Sequence, residues 1–170
     1  MHTALRATLG LVPLVLCALC PAGAQAVYPA EAVVTLAPAS GSSVQGEVHV
    51  RAISKGVHFE GSVTGLSAGV HGMHVHEAGD CSAPDASSAK GHFNPLRQMH
   101  GMHAGDLPDI VADASGKAKF SFDVAGIDLG THEMGISGRA LVIHADPDDH
   151  KSQPAGNSGK RIACGVIAVR

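Results

Sequence analysis

The chain has 170 residues, of which 45% are hydrophobic and 16% charged, and its formal net charge is −3 with histidines neutral. That mild acidity argues against nucleic acid or an anionic membrane surface as a partner. Aromatic residues make up only 3% and tryptophan is absent, which argues against base-stacking platforms and aromatic sugar-binding clefts.

Residues 1–26 begin with an early basic residue, Arg6, followed by the apolar run LGLVPLVLCALC and the stretch PAGAQA. The run is too short to span a bilayer comfortably, and Ala24 and Ala26 flank Gln25 in the A-x-A pattern of a secretory cleavage site. The expected organisation is therefore a cleaved signal peptide over 1–26 and one domain over 27–170. A lipid anchor on Cys17 or Cys20 is the alternative, disfavoured because leucine precedes each cysteine where such sites want a small residue. Cleavage removes Arg6 and no acidic residue, so the net charge moves from −3 to −4. The product is expected in the periplasm or outside the cell, free of the membrane. Only Cys81 and Cys164 then remain, with one intramolecular connectivity that an oxidising compartment favours.

Past the leader, short alternating or apolar runs recur between turn signals, as in an all-β sandwich or barrel. Strands are expected near 32–37, 46–53, 57–65, 70–77, 109–113, 116–124, 138–145 and 161–169. SGSS (40–43), SKG (54–56) and ASG (114–116) mark reversals. Residues 78–108 and 146–160 fit no strand and read as two long loops, where binding sites tend to sit.

The stretch HGMHVHEAGDC (71–81) lies just before the first loop. In an extended strand, His74 and His76 project together, whereas His71 shares its face with Met73 and Val75 and reads as a core-side residue. The first loop adds His92 in GHFNP and His100, His103, Asp106 and Asp109 in HGMHAGDLPD. His144 ends the run VIH where a strand opens into the second loop. Six histidines at strand ends and in loops are poorly explained by solvation. Imidazole and carboxylate without thiolate suit copper, zinc, nickel or iron, and the ligands outnumber one tetrahedral ion.

Taken in order, HGMHVHEAGDC, GHFNP, HGMHAGDLP, GRALVIHADPDD and GKRIACGVI resemble the secreted bacterial type of copper–zinc superoxide dismutase. The resemblance runs from about residue 31 to the C-terminus. It implies a flattened eight-stranded Greek-key β-barrel, an immunoglobulin-like sandwich, with two long functional loops. It also implies copper on His74, His76, His92 and His144, and zinc on His92, His100, His103 and Asp106, with His92 as the bridge. Asp148 would link a copper-ligand and a zinc-ligand imidazole, and Cys81 would be bridged to Cys164. Arg161 would stand beside the open copper position to dock the superoxide anion, with Lys160 nearby. The implied oligomeric state is a monomer or a homodimer.

Two features depart from the fuller family pattern. Only Gly101 and Met102 separate the two zinc histidines, so one of them could fall outside the zinc sphere in favour of water or Asp109. The loop 145–160 is short and carries few basic residues. Asp109 otherwise reads as a solvated residue at the loop exit, His49 and His58 as ordinary strand residues, and His132 and His150 as loop histidines. The competing functions are an exported copper carrier or buffer on the same fold, and a zinc hydrolase, which would need an open zinc site.

Overall fold

Valine-rich alternation builds the first part of the domain. In the computed structural model, which describes residues 30–170, Val48 and Val50 of one strand point inward while His49 and Arg51 point to solvent. The expected leader over 1–26 and the expected domain start at 27 lie outside the described residues. The strands are β1 (Glu31–Pro38), β2 (Gln45–Ile53), β3 (Gly56–Thr64), β4 (Gly69–His71) and β5 (Met73–His76), then β6 (Ile110–Ala112), β7 (Ala118–Ala125), β8 (Ala140–His144), β9 (Arg161–Val166) and β10 (Ala168–Val169). A single 3₁₀ turn, Ser87–Ala89, is the one helical element among the described residues.

The main antiparallel sheet runs β5-β8-β9-β1-β2-β3-β7, with β10 also on β1, and curls around one core. A separate pair, β4 with β6, stands between its two ends, joined to β5 through Gly72 and packed against β7 through β6. The chain thus leaves β3, crosses the barrel, and returns as β7 to pair with β3, which is the Greek-key connection. Phe59, Leu36, Met73, Ile110, Leu141 and Ile143 are fully enclosed.

Two expected strands are each split. The run 70–77 breaks at Gly72, whose N–H donates to the Asp146 carbonyl and whose carbonyl accepts from His144 N–H. The run 161–169 breaks at Ile167, which bonds Arg139 and Gly138 instead. Both breaks transfer the chain from one neighbour to another, a tertiary choice that local alternation does not encode.

The first loop, residues 77–109, folds back along the free edge of β5. Glu77 N–H donates to the Gly91 carbonyl, Phe93 N–H to Val75, Val75 N–H to Gly105 and Gly105 N–H to Phe93. These bonds cap an edge strand that would otherwise present unpaired backbone groups. They also set His92 opposite His76 and Asp106 opposite His74.

Candidate metal centre

Four strand or loop ends converge where β5, β8 and the doubled-back loop meet. His74 and His76 lie on β5, and His144 ends β8 at a register shift that turns it across from Arg161 on β9. All of His74, His76, His92, His100 and His144 are buried. Ligating atoms of His74, His76, His92 and His144 lie within 4.8 Å of one another, and so do those of His92, His100, His103 and Asp106. His92 belongs to both groups.

The ring nitrogens divide cleanly between orienting contacts and the two clusters. His74 Nε2 donates to Asp148 Oδ2 at 2.7 Å and His100 Nε2 to Asp148 Oδ1 at 2.8 Å. His76 Nδ1 donates to the Lys90 carbonyl at 2.9 Å. His144 Nδ1 lies 3.2 Å from Ser158 Oγ. These contacts leave His74 Nδ1, His76 Nε2 and His144 Nε2 for the first cluster, and the last two face each other at 3.4 Å. Buried His74 Nδ1, His92 Nε2 and His100 Nδ1 have no hydrogen-bond partner. A buried unsatisfied polar atom costs roughly 1–3 kcal/mol, so three such atoms aimed into two clusters fit bound cations. The donor set of imidazoles and one carboxylate, with no thiolate, fits copper and zinc.

The second cluster is assembled by one carboxylate. Asp106 Oδ2 accepts from Gly101 N–H at 2.8 Å and from His103 N–H at 3.0 Å, tying the loop into a tight turn. Gly101 takes φ +91°, and Met102 N–H donates to the Met99 carbonyl. Asp106 Oδ1 then sits 2.9 Å from His92 Nδ1, 3.2 Å from His103 Nδ1 and 3.4 Å from His100 Nδ1. The two-residue spacer thus suffices to bring both histidines to one point.

Electrostatics favour neutral His74, His76 and His144 and ionised carboxylates here. Burial lowers His74 to about 4 and His144 to about 3, in each case reinforced by a neighbouring histidine, and burial pushes His76 well below its ordinary value. For Asp106, burial acts upward. It is outweighed by the His92 hydrogen bond, the His103 N–H and the nearby His103 and His100, so the carboxyl sits far below its usual range. Asp148 is likewise held down against burial, by His100, His150 N–H and His74.

Arg161 donates from both ends of its guanidinium, to the Ala86 carbonyl at 2.7 Å and to the Lys90 carbonyl. It pairs with His144 across β8 and β9 and shares the Lys90 carbonyl with His76, which locates it on the side of the first cluster. The Lys90 carbonyl therefore serves both His76 and Arg161. Lys90 reaches that position at φ 64° and ψ −149°, a conformation that favours glycine and costs a side chain about 1–3 kcal/mol. Cys81 and Cys164 are bridged across 83 residues with Cα atoms 5.7 Å apart, fastening the same loop to β9.

Several contributors carry no side-chain signature in the sequence, namely the carbonyls of Lys90 and Ala86 and the backbone of Gly156. A methyl group on Gly156 would collide with Asp148 Oδ1 and His100 Nε2, so the second loop lies directly on that hydrogen bond. Gln153 Oε1 accepts from His100 N–H at 2.9 Å. Asp109 is a correction, because it is not freely solvated. Its Oδ1 is buried without a partner, burial raises its pKa, and Oδ2 stands 4.0 Å from His150. His71 is buried, with Nδ1 2.9 Å from the His144 carbonyl, and supports the strand end rather than either cluster.

A curled antiparallel barrel carrying two buried donor clusters that share one histidine defines a dinuclear metalloprotein. A family model described as "Copper/zinc superoxide dismutase (SODC)" matches residues 44–167, and the chain belongs to that family. "Superoxide dismutase [Cu-Zn] 1" of Aquifex aeolicus is 47% identical over 56% of this chain and 62% of its own length, and "Superoxide dismutase [Cu-Zn] 2" of the same organism is 42% identical over 73% and 79%. The match thus spans less than two thirds of the first of these relatives. Among solved structures, a SOD-like protein from Bacillus subtilis is similar with a TM-score of 0.73 and 35% identity, covering 79% of this chain and 97% of that one.

Proposed function

We propose that the protein dismutates superoxide to oxygen and hydrogen peroxide at a copper held by His74, His76, His92 and His144, beside a zinc held by His92, His100, His103 and Asp106. The observation that carries this reading is the double membership of His92, whose Nδ1 lies in the Asp106 cluster while its buried Nε2 faces the other without a partner. Copper supplies one-electron cycling between two oxidation states when bound, and zinc a fixed positive charge without redox chemistry.

The chain's own residues supply the rest. His92 is anchored at Nδ1, so Nε2 is the atom that can hold a proton and present it to the reacting oxygen. Asp148 fixes the tautomer and orientation of His74 and His100, leaving each Nδ1 lone pair aimed inward. His76 is oriented in the same way by the Lys90 carbonyl. Arg161 offers a positive focus to a small anion on a protein that is net negative, and its guanidinium stays charged, so it docks rather than donates a proton. A copper carrier would have no use for that arginine.

The active form is taken to be residues 27–170, exported to the periplasm or beyond. Among the described residues no helix is long and apolar enough to cross a membrane. Metal analysis combined with a superoxide-consumption assay tests the function. One copper and one zinc per chain with rapid superoxide loss is expected; metal binding without superoxide loss would leave a carrier instead.

A further inference from the structure

The outer face of the sheet holds a constellation that neither metal cluster uses. Antiparallel register places His58 of β3 opposite Asp123 of β7, and Glu60 opposite Ser121. Side chains at 121 and 123 point to the same face, two residues apart, so both reach His58. Asp123 Oδ1 lies 2.6 Å from His58 Nδ1, and Ser121 Oγ lies 3.2 Å from His58 Nε2. A carboxylate can only accept from Nδ1–H. That fixes the tautomer whose Nε2 lone pair accepts from the serine hydroxyl. The carboxylate, imidazole and hydroxyl stand in the order that makes a serine nucleophilic, an arrangement recognised by geometry rather than by chain order.

Ser121 also opens onto a space. It lines a shallow groove of about 730 Å³ across β1, β2, β3 and β7, together with Glu60, Ser62, Arg51 and Lys119. Lys119 lies two residues before Ser121 on the same face of the same strand, which offers an ammonium to charge developing on a carbonyl oxygen. Gly61 and Phe120 add apolar surface to these polar side chains, so the groove can take a small acyl group.

We propose that Ser121, His58 and Asp123 form a second reactive centre that accepts acyl groups from short-chain carboxylic esters. Ser121 Oγ bonds to the ester carbonyl carbon while His58 Nε2 takes the hydroxyl proton. The bond to the alcohol oxygen then breaks, and the proton departs with the alcohol. Water repeats the sequence on acyl-Ser121, releasing the carboxylic acid and restoring the hydroxyl. No oxidant or reductant enters. The Asp123 side chain is 67% exposed, so water screens its support of the imidazolium and turnover is slow. Covalent trapping is accordingly the sharper readout.

The test is to incubate the exported, metal-loaded protein with a small alkyl fluorophosphonate, whose phosphorus bonds to a nucleophilic serine as hydrogen fluoride leaves, and to map the adduct by peptide mass. The expected result is one adduct on Ser121, none there in Ser121→Ala, and labelling at least tenfold slower in His58→Gln. Superoxide dismutation by Ser121→Ala should equal that of the parent, showing that the variant is folded and metal-loaded. An unmodified Ser121 in active parent protein overturns the proposal, and so does equal labelling of parent and His58→Gln.

Discussion

Arg161 shows how a single side chain depends on main-chain atoms that are distant in sequence. Its two carbonyl partners, at Ala86 and Lys90, both belong to residues with positive φ. Replacing it with alanine should leave copper and zinc bound but slow superoxide turnover by roughly tenfold or more, with a flatter dependence on ionic strength. Stopped-flow rates over a salt series decide the matter, and an unchanged rate and slope would remove the docking role. The buried imidazoles yield a second prediction. His74, at about 4, lies below the 6.5 of a free histidine, so between those values the unfolded chain binds the extra proton. Stability of the metal-free protein therefore rises with pH through that window and is lost as pH falls from about 6.5 toward 4. His74 alone contributes on the order of 3 kcal/mol, with His144 and His76 adding in the same direction. Urea unfolding of the apo-protein at pH 7 and pH 4.5 measures it, and equal midpoints would refute it. At this scale the histidines were legible because imidazole clusters are rare in solvated loops. The Lys90 and Ala86 carbonyls were not, since every residue carries a carbonyl and only backbone conformation selects which one is used.

The two loops show the same division one level up. Their positions could be read from composition, and the strands between them from alternation. The fold-back of residues 91–93 and 105–106 along β5 could not, because it rests on backbone bonds between segments of no strand-like pattern. The tight turn at 100–103 is the case where spacing alone left the geometry open and Asp106 draws the two histidines together, by accepting two backbone N–H groups on one oxygen and facing the histidines with the other. His100→Ala and His103→Ala should therefore each lower zinc affinity by a comparable large factor, at least tenfold, in competition titrations. A near-silent substitution at either position would show that residue to lie outside the site. Splitting of the 70–77 and 161–169 strands was likewise hidden, because a change of hydrogen-bonding neighbour at Gly72 or Ile167 leaves alternation on either side intact.

For the molecule as a whole, barrel and disulfide bear on one question, how the folded chain resists unfolding. The Cys81–Cys164 bridge closes a loop of 83 residues, for which chain entropy gives roughly 4–5 kcal/mol. Reducing it should lower the thermal midpoint and, because the bridge fastens the loop that carries Ala86 and Lys90, slow turnover before metal is lost. Parallel calorimetry, metal analysis and activity on the reduced protein test that order of events. Intact-mass analysis of the exported product should give a chain beginning at Val27; retained residues 1–26, or a lipid on Cys20, would set aside soluble export. The all-β class was legible from alternation and turns and the Greek-key barrel from the family resemblance, whereas closure by the β4–β6 pair rests on long-range pairing that neither encodes. Asp148 has a last consequence. One oxygen holds His74 and the other holds His100, so filling either cluster stiffens the carboxylate on which the other depends. Free-energy cycles then require symmetry: whatever factor zinc adds to copper affinity, copper must return to zinc. Titrating zinc with and without copper should therefore show a coupling between the two sites that Asp148→Asn reduces and the shared His92 retains.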